Sequence, residues 1–211
     1  MSVEEQGRGW LLITISTAGA AASLRVHVWR RLRGLGALYL QQSVCLLPDR
    51  AEVARQVTRL LDRVRRDGGS GRVLHVVLAG RGEHEQLVAE LQAARDEEYG
   101  EVLDRIPGFF AELETETARG RATYAEVEEN EADLVRFRGW MAKIAARDYF
   151  AAASGERARA EVARAEQAFA AFEEEALAAE EPAAPAPAPA TDRCAGRATG
   201  GPGLRVADGE S

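Results

Sequence analysis

Three observations predict an α+β chain. Strand-like apolar runs and helix-period segments alternate through the first eighty or so of the 211 residues. From Glu83 to Leu177 the sequence is then nearly continuous in Ala, Glu, Arg and Leu, the composition of packed helices. Beyond that, EPAAPAPAPATDRCAGRATGGPGLRVADGES is Ala/Pro-rich and then Gly-rich, with almost no large apolar side chain to offset the entropy of ordering it.

The elements follow in order. Trp10 to Ser16, WLLITIS, is a short β-forming run that loosens into small residues at Thr17 to Ala22. Ser23 is the expected N-cap of a first helix, whose Leu24, Val28, Leu32 and Leu35 recur on one face and whose end is marked by Gly34 and Gly36. Ala37–Leu40 and Ser43–Leu47 read as two strands about a tight turn at Gln41-Gln42, a pair that hairpins do not favour. Pro48-Asp49 opens a second helix with Val53, Val57, Leu60, Leu61 and Val64 inward, closed by the loop DGGSG. RVLHVVLA, Arg72–Ala79, is a fourth strand. The succession β-α-β-β-α-β is the ferredoxin-like split pattern, an antiparallel sheet with both helices on one face.

The sequence therefore predicts a ferredoxin-like domain over 9–82, a helical module over 83–179 and a disordered tail over 180–211. Within the module, breakers at Ile106-Pro107-Gly108, Arg119-Gly120-Arg121 and Ser154-Gly155 divide four helices, at about 83–106, 109–118, 123–152 and 156–179.

Charge is distributed unevenly. Up to Gly82 the chain has 13 Lys+Arg against 6 Asp+Glu; the remainder has 14 against 28, and the net charge is −7. Either the two halves neutralise each other or the basic front has an anionic partner. On the first helix Arg30 and Arg31 accompany His27, with Arg25 and Arg33 close by; on the second Arg55, Arg59, Arg63 and Arg66 recur at helical spacing. Two such helices side by side present one basic surface, suited to phosphate contact or to docking of acidic helices, or simply solvated.

Candidate chemistry is otherwise sparse. His27, His75 and His84 lack ligand spacing, so no metal site is expected. Cys45 lies in an apolar run and Cys194 in the tail, which leaves no disulfide framework and fits a reducing cytoplasm. Neither a nucleophile triad, a phosphate-binding loop nor a dinucleotide glycine pattern occurs, so the chain reads as a non-enzyme without a cofactor. WLLITIS is too short to span a bilayer, and acidic residues precede it, so no membrane association is expected.

The helical half carries polar residues on apolar stripes. Val88, Leu91, Arg95, Tyr99, Val102 and Ile106 form one stripe, and Glu131 and Arg138 accompany Leu134 and Met141. Arg147-Asp148 sits between apolar neighbours in WMAKIAARDYF. A core-facing arginine is costly unless paired, so Arg95 or Arg147 is expected to meet Asp148 or Glu131, either as a structural ion pair or around a bound oxyanion.

Taken together, WLLITIS, LRVHVWRRLRGLGALYLQQSVCLLP, ARDEEYGEVL and ATYAEVEENEADLVRFRGWMAKIAARDYF resemble, in order and spacing, the N-terminal domain of the chromate-resistance regulator ChrB, over Gly9 to Leu177. The resemblance implies a cytoplasmic regulator or accessory factor responding to chromate. It implies operator DNA of a chromate-transport gene, chromate or sulfate, and a second copy of the chain as partners, or else a partner bearing the ChrB C-terminal domain that this sequence replaces with an Ala/Pro tail. Gln42-Ser43 departs from the Asp-Gly expected in the hairpin, and Cys45 from an aromatic. Small CRISPR-adaptation nucleases share a ferredoxin-like core, but the metal-binding aspartate that ends their first strand is missing from WLLITIST, which disfavours nuclease activity. A module that binds nucleic acid through the basic face, without sensing any metal oxyanion, is the alternative.

Overall fold

The computed structural model describes residues 9–119 and 124–180, and all of them belong to one compact unit. The elements run β1 (Gly9–Ser16), α1 (Ala22–Gly34), β2 (Leu38–Gln41), β3 (Val44–Pro48), α2 (Ala51–Arg66), β4 (Ser70–Val77), α3 (Arg81–Ala118), α4 (Tyr124–Ala145) and α5 (Ser154–Glu180). The four strands form one antiparallel sheet in the order β2-β3-β1-β4. The tail expected over 180–211 lies, from 181 onward, outside the described residues.

Alternation along β1 sends its side chains to two different cores. Leu11, Ile13 and Ile15, with Cys45 and Leu47 of β3, face α1 and α2, meeting Leu24, Val28 and Leu32 on one helix and Val53, Val57, Leu60, Leu61 and Val64 on the other. Trp10 and Leu46 point the opposite way, where Leu91 of α3 covers them together with the partly buried Leu87, Val88 and Phe150. The sheet is thus covered on both faces at its Trp10 end. The remainder of α3 leaves the sheet and builds a three-helix core with α4 and α5, in which Phe109 meets Phe137 edge to face at 6.0 Å.

Several boundaries differ from the sequence expectation. The first helix begins at Ala22 after Ala21, with no side-chain cap, so Ser23 is not an N-cap. The hairpin turns at Gln42-Ser43, one residue later than expected, because of an irregularity in register between Tyr39 and Gln41. Pro48 is the last residue of β3, and α2 starts only at Ala51, since Pro48 pairs with Trp10 across the sheet. Ile106-Pro107-Gly108 does not break α3, which runs through it for 38 residues. Burial of Ile106, Phe109 and Leu113 in the helical core outweighs the lost proline hydrogen bond, while Pro107 and Gly108 face outward. The helix expected over 123–152 stops at Ala145, and Ser154 and Gly155 open α5 rather than precede it.

Trp10 is fully buried between sheet and α3, so Trp10→Ala should cost about 3–5 kcal/mol, read as a lowered urea midpoint.

Candidate functional site

Helical periodicity decides what α1 and α2 show to solvent. With Leu24, Val28 and Leu32 inward, Arg30 falls on the outer side of α1; with Val53, Val57, Leu60, Leu61 and Val64 inward, Arg55, Arg59 and Arg66 fall on the outer side of α2. The helices lie side by side, as Arg31 Nη2 donates to Gln56 Oε1 across the gap at 3.2 Å. The expected arginines are therefore brought onto one exposed layer, with two exceptions on the hairpin side of α1: Arg25 lines a separate cavity, and Arg33 lies over the Trp29 ring at that cavity's edge.

Those arginines are not equivalent. Arg55 pairs with Glu52, Arg63 with Asp67 at 3.4 Å, and Arg65 with Asp62 at 3.2 Å. The hydrogen bond from Arg55 also holds the Glu52 carboxyl below its usual range. Arg33 stacks over the Trp29 ring at 5.1 Å. Arg25, Arg30 and Arg59 have no hydrogen bond or ion pair among the described residues. Nor, among those residues, does any ion pair join α1 or α2 to the acidic helices.

A second cluster lies where the helical core meets the sheet. Arg95 is 8% exposed. Its Nη2 donates to Glu98 Oε1 at 3.1 Å, and its Nε sits 2.9 Å from Oε2 but out of line for a hydrogen bond. Arg147 approaches the same carboxylate, with Nη2 2.9 Å from Oε1 and Nε donating to Oε2 at 3.2 Å. Asp148 accepts from the Tyr99 hydroxyl at 3.2 Å and from the Ala152 amide at 3.0 Å. Burial pulls the Arg95 pKa down, opposed chiefly by Glu98, and pushes the Tyr99 hydroxyl up, reinforced by Asp148. Two guanidinium groups thus face two carboxylates.

The segment 146–153 that carries Arg147 and Asp148 is tied down on every side. Tyr149 donates its hydroxyl to the Leu35 carbonyl at 2.8 Å, Arg50 donates to the Tyr149 carbonyl and lies 5.2 Å over its ring, and Gln92 donates to the Phe150 carbonyl at 2.9 Å. The first turn of α5 is capped from a distance, with the Ser154 amide donating to Asp96 Oδ1 at 2.7 Å. Gly36 completes the junction: its φ is +73°, and a Cβ there would stand 2.7 Å from Arg95 Nη1.

Of the residues expected in this network, Arg95, Tyr99, Arg147 and Asp148 converge, whereas Glu131 and Arg138 do not. Glu131 is exposed on α4, and Arg138 pairs with Glu166 of α5 at 2.5 Å. The central carboxylate, Glu98, was missed, although it stands at i+3 from Arg95 on one helix, a spacing that marks such pairs. Asp49 Oδ2 accepts from His75 Nδ1 at 2.6 Å, and Trp10 Nε1 donates to His84 Nδ1 at 3.2 Å, so two of the three histidines have structural partners. Cys45 is buried in the sheet core. Among the described residues no group of three His, Cys, Asp or Glu side chains is placed to hold a metal ion, and no helix is long and apolar enough to cross a membrane.

A family model described as "Protein ChrB, N-terminal" matches residues 25–183, three quarters of the chain. The chain belongs to the ChrB N-terminal family. At family level this makes it a ChrB-like chromate-resistance protein. The match begins within α1, at Arg25, and takes in the rest of that helix, α2, the Arg95–Glu98–Arg147 cluster and all three long helices. No curated protein and no solved structure matches the chain significantly.

Removing Glu98 leaves two guanidinium groups facing each other in a largely buried place, so Glu98→Ala should cost about 3 kcal/mol in a denaturant titration, while Glu131→Ala stays within about 0.5 kcal/mol. Gly36→Ala should also destabilise, by about 1–3 kcal/mol, because the methyl group meets Arg95 in a backbone conformation that alanine disfavours.

Proposed function

We propose that the protein is a non-enzymatic, cytoplasmic regulator in chromate resistance whose α1–α2 outer face contacts the phosphates of operator DNA at a chromate-transport gene. The observation that carries this reading is the lack, among the described residues, of any ion pair between that face and the acidic helices, with Arg30 and Arg59 left unpaired on neighbouring helices. Guanidinium groups in this state are free to replace counterions on a polyanion, whereas those held by Glu52, Asp62 and Asp67 are partly spent. The β-α-β-β-α-β succession and the strand order β2-β3-β1-β4 support the ferredoxin-like reading of 9–82, with 83–179 as a helical module. On this reading the regulator acts as a homo-oligomer or beside a chain bearing the ChrB C-terminal domain.

A direct chromate or sulfate contact is the second reading, and it falls to the same unpaired arginines. In the buried cluster Arg95 and Arg147 are already balanced by Glu98 and Asp148, so a dianion there would meet no net positive charge. That cluster is better suited to fixing the junction than to receiving an oxyanion.

In mobility-shift titrations, Arg30→Glu with Arg59→Glu should weaken operator binding at least tenfold and flatten its dependence on log salt by about two contacts. Undiminished affinity in the double variant would sink the DNA reading, and calorimetry without heat at millimolar chromate would remove the oxyanion one.

A further inference from the structure

Among the described residues, the flank of α1 that carries Arg25 and Trp29 has no helix beside it. Helix α2 covers the β1–β4 side of the sheet, and β2 is an edge strand only four residues long. Between this flank and the hairpin a cavity of about 500 Å³ remains, in the range of sites for small organic molecules. Its walls are apolar, formed by Ile13, Ile15, Val28 and Leu32, and its floor is Cys45. Of the nine exposed large hydrophobic side chains among the described residues, three gather around it: Trp29 at 48%, Val26 at 45% and Tyr39 at 37% exposure. A contiguous exposed apolar cluster of this kind marks a place where a ligand or partner is bound.

The rim decides which ligand is suited. Among the described residues, Arg25 reaches the cavity with no hydrogen bond or ion pair, and no carboxylate lines the wall. Burial pushes both the Tyr39 hydroxyl and the Cys45 thiol up to about 12, so neither brings negative charge at neutral pH. An anion entering here meets the Arg25 guanidinium on the wall, with that of Arg33 nearby over the Trp29 ring, and behind them hydrocarbon and indole surface. A compact, heavily hydrated dianion such as chromate would lose its water against those apolar walls, which offer it no hydrogen bonds in return. We propose that the cavity between α1 and the β2–β3 hairpin binds a small organic anion, its aromatic or branched apolar body against Val28, Trp29 and Leu32 and its carboxylate or sulfonate on Arg25. This site is separate from the α1–α2 outer face and does not depend on DNA binding there.

The full chain is to be titrated with 8-anilinonaphthalene-1-sulfonate and, separately, with the uncharged N-phenyl-1-naphthylamine, each followed by fluorescence. Saturable one-to-one binding of both is expected. Arg25→Gln should weaken the sulfonate at least tenfold and leave the uncharged probe within about twofold. Ser43→Trp, placed on the exposed rim so that folding is preserved, should block both, with far-UV circular dichroism unchanged. Absence of saturable binding, sulfonate binding indifferent to Arg25→Gln, or probe binding that survives Ser43→Trp would each overturn the proposal. Displacement of the sulfonate by millimolar chromate would overturn the ligand class by showing an inorganic oxyanion site instead.

Discussion

The carboxylate of Glu98, shared by Arg95 and Arg147, is the contact on which the relation between sheet and helices turns. It joins a residue in mid-α3 to a residue in the segment after α4, and that segment is the one that touches α1, α2 and the sheet's second face. A buried ion pair contributes little net stability compared with hydrophobic side chains of equal volume, because desolvation offsets most of the Coulombic gain. Its value here is directional. Hydrophobic packing alone is less directional along α3 than one hydrogen bond from each of two guanidinium groups to a shared carboxylate, with Tyr99 on Asp148, which together favour one register of 146–153.

That register fixes what the α/β part shows to its surroundings. With Trp10 under α3 and Phe150, one sheet face is closed at that end, and the other is closed by α1 and α2. Helix α1 therefore has three sides with separate tasks. Leu24, Val28 and Leu32 build the core, Arg30 faces water, and Arg25 and Trp29 border the cavity, with Arg33 stacked over the Trp29 ring. Thirteen residues are enough for this because a turn of 3.6 residues places neighbours in sequence on different sides.

What could be read in the sequence was whatever depends on local periodicity. The inner faces of α1 and α2 and the stripe from Leu91 to Ile106 emerged residue by residue, since each needs only spacing on one helix. Arg95, Tyr99, Arg147 and Asp148 were legible as a group because polar residues on an apolar stripe must find partners. Arginine's actual partner was not, since Glu98 competes with every carboxylate in an acidic module and only tertiary packing selects it. Breaker residues misled at Pro107-Gly108, where long-range burial of Phe109 and Leu113 overrides a local penalty. The end of α4 at Ala145 carries no glycine or proline; it is imposed by contacts from Gln92, Asp96 and Arg50, all distant in sequence. The cavity beside α1 was invisible for a related reason, being a gap left by the shortness of β2 rather than a pattern of residues.

The uneven charge of the chain takes on meaning once the ion pairs are placed. Among the described residues, acidic side chains of the helical half form ion pairs within their own helices, between α4 and α5, as in Arg138 with Glu166, or, for Glu98, with Arg147 after α4, and not with α1 or α2. Positive and negative surfaces therefore stay apart, beyond mutual neutralisation by contact. At physiological ionic strength charge is screened over roughly 8 Å, so the basic layer acts on a nearby polyanion largely by itself. The acidic helices, farther away, disfavour approach in the wrong orientation more than they weaken approach in the right one. A separated charge distribution of this kind turns the molecule as it nears an anionic surface, which a mixed one of the same net charge would not do.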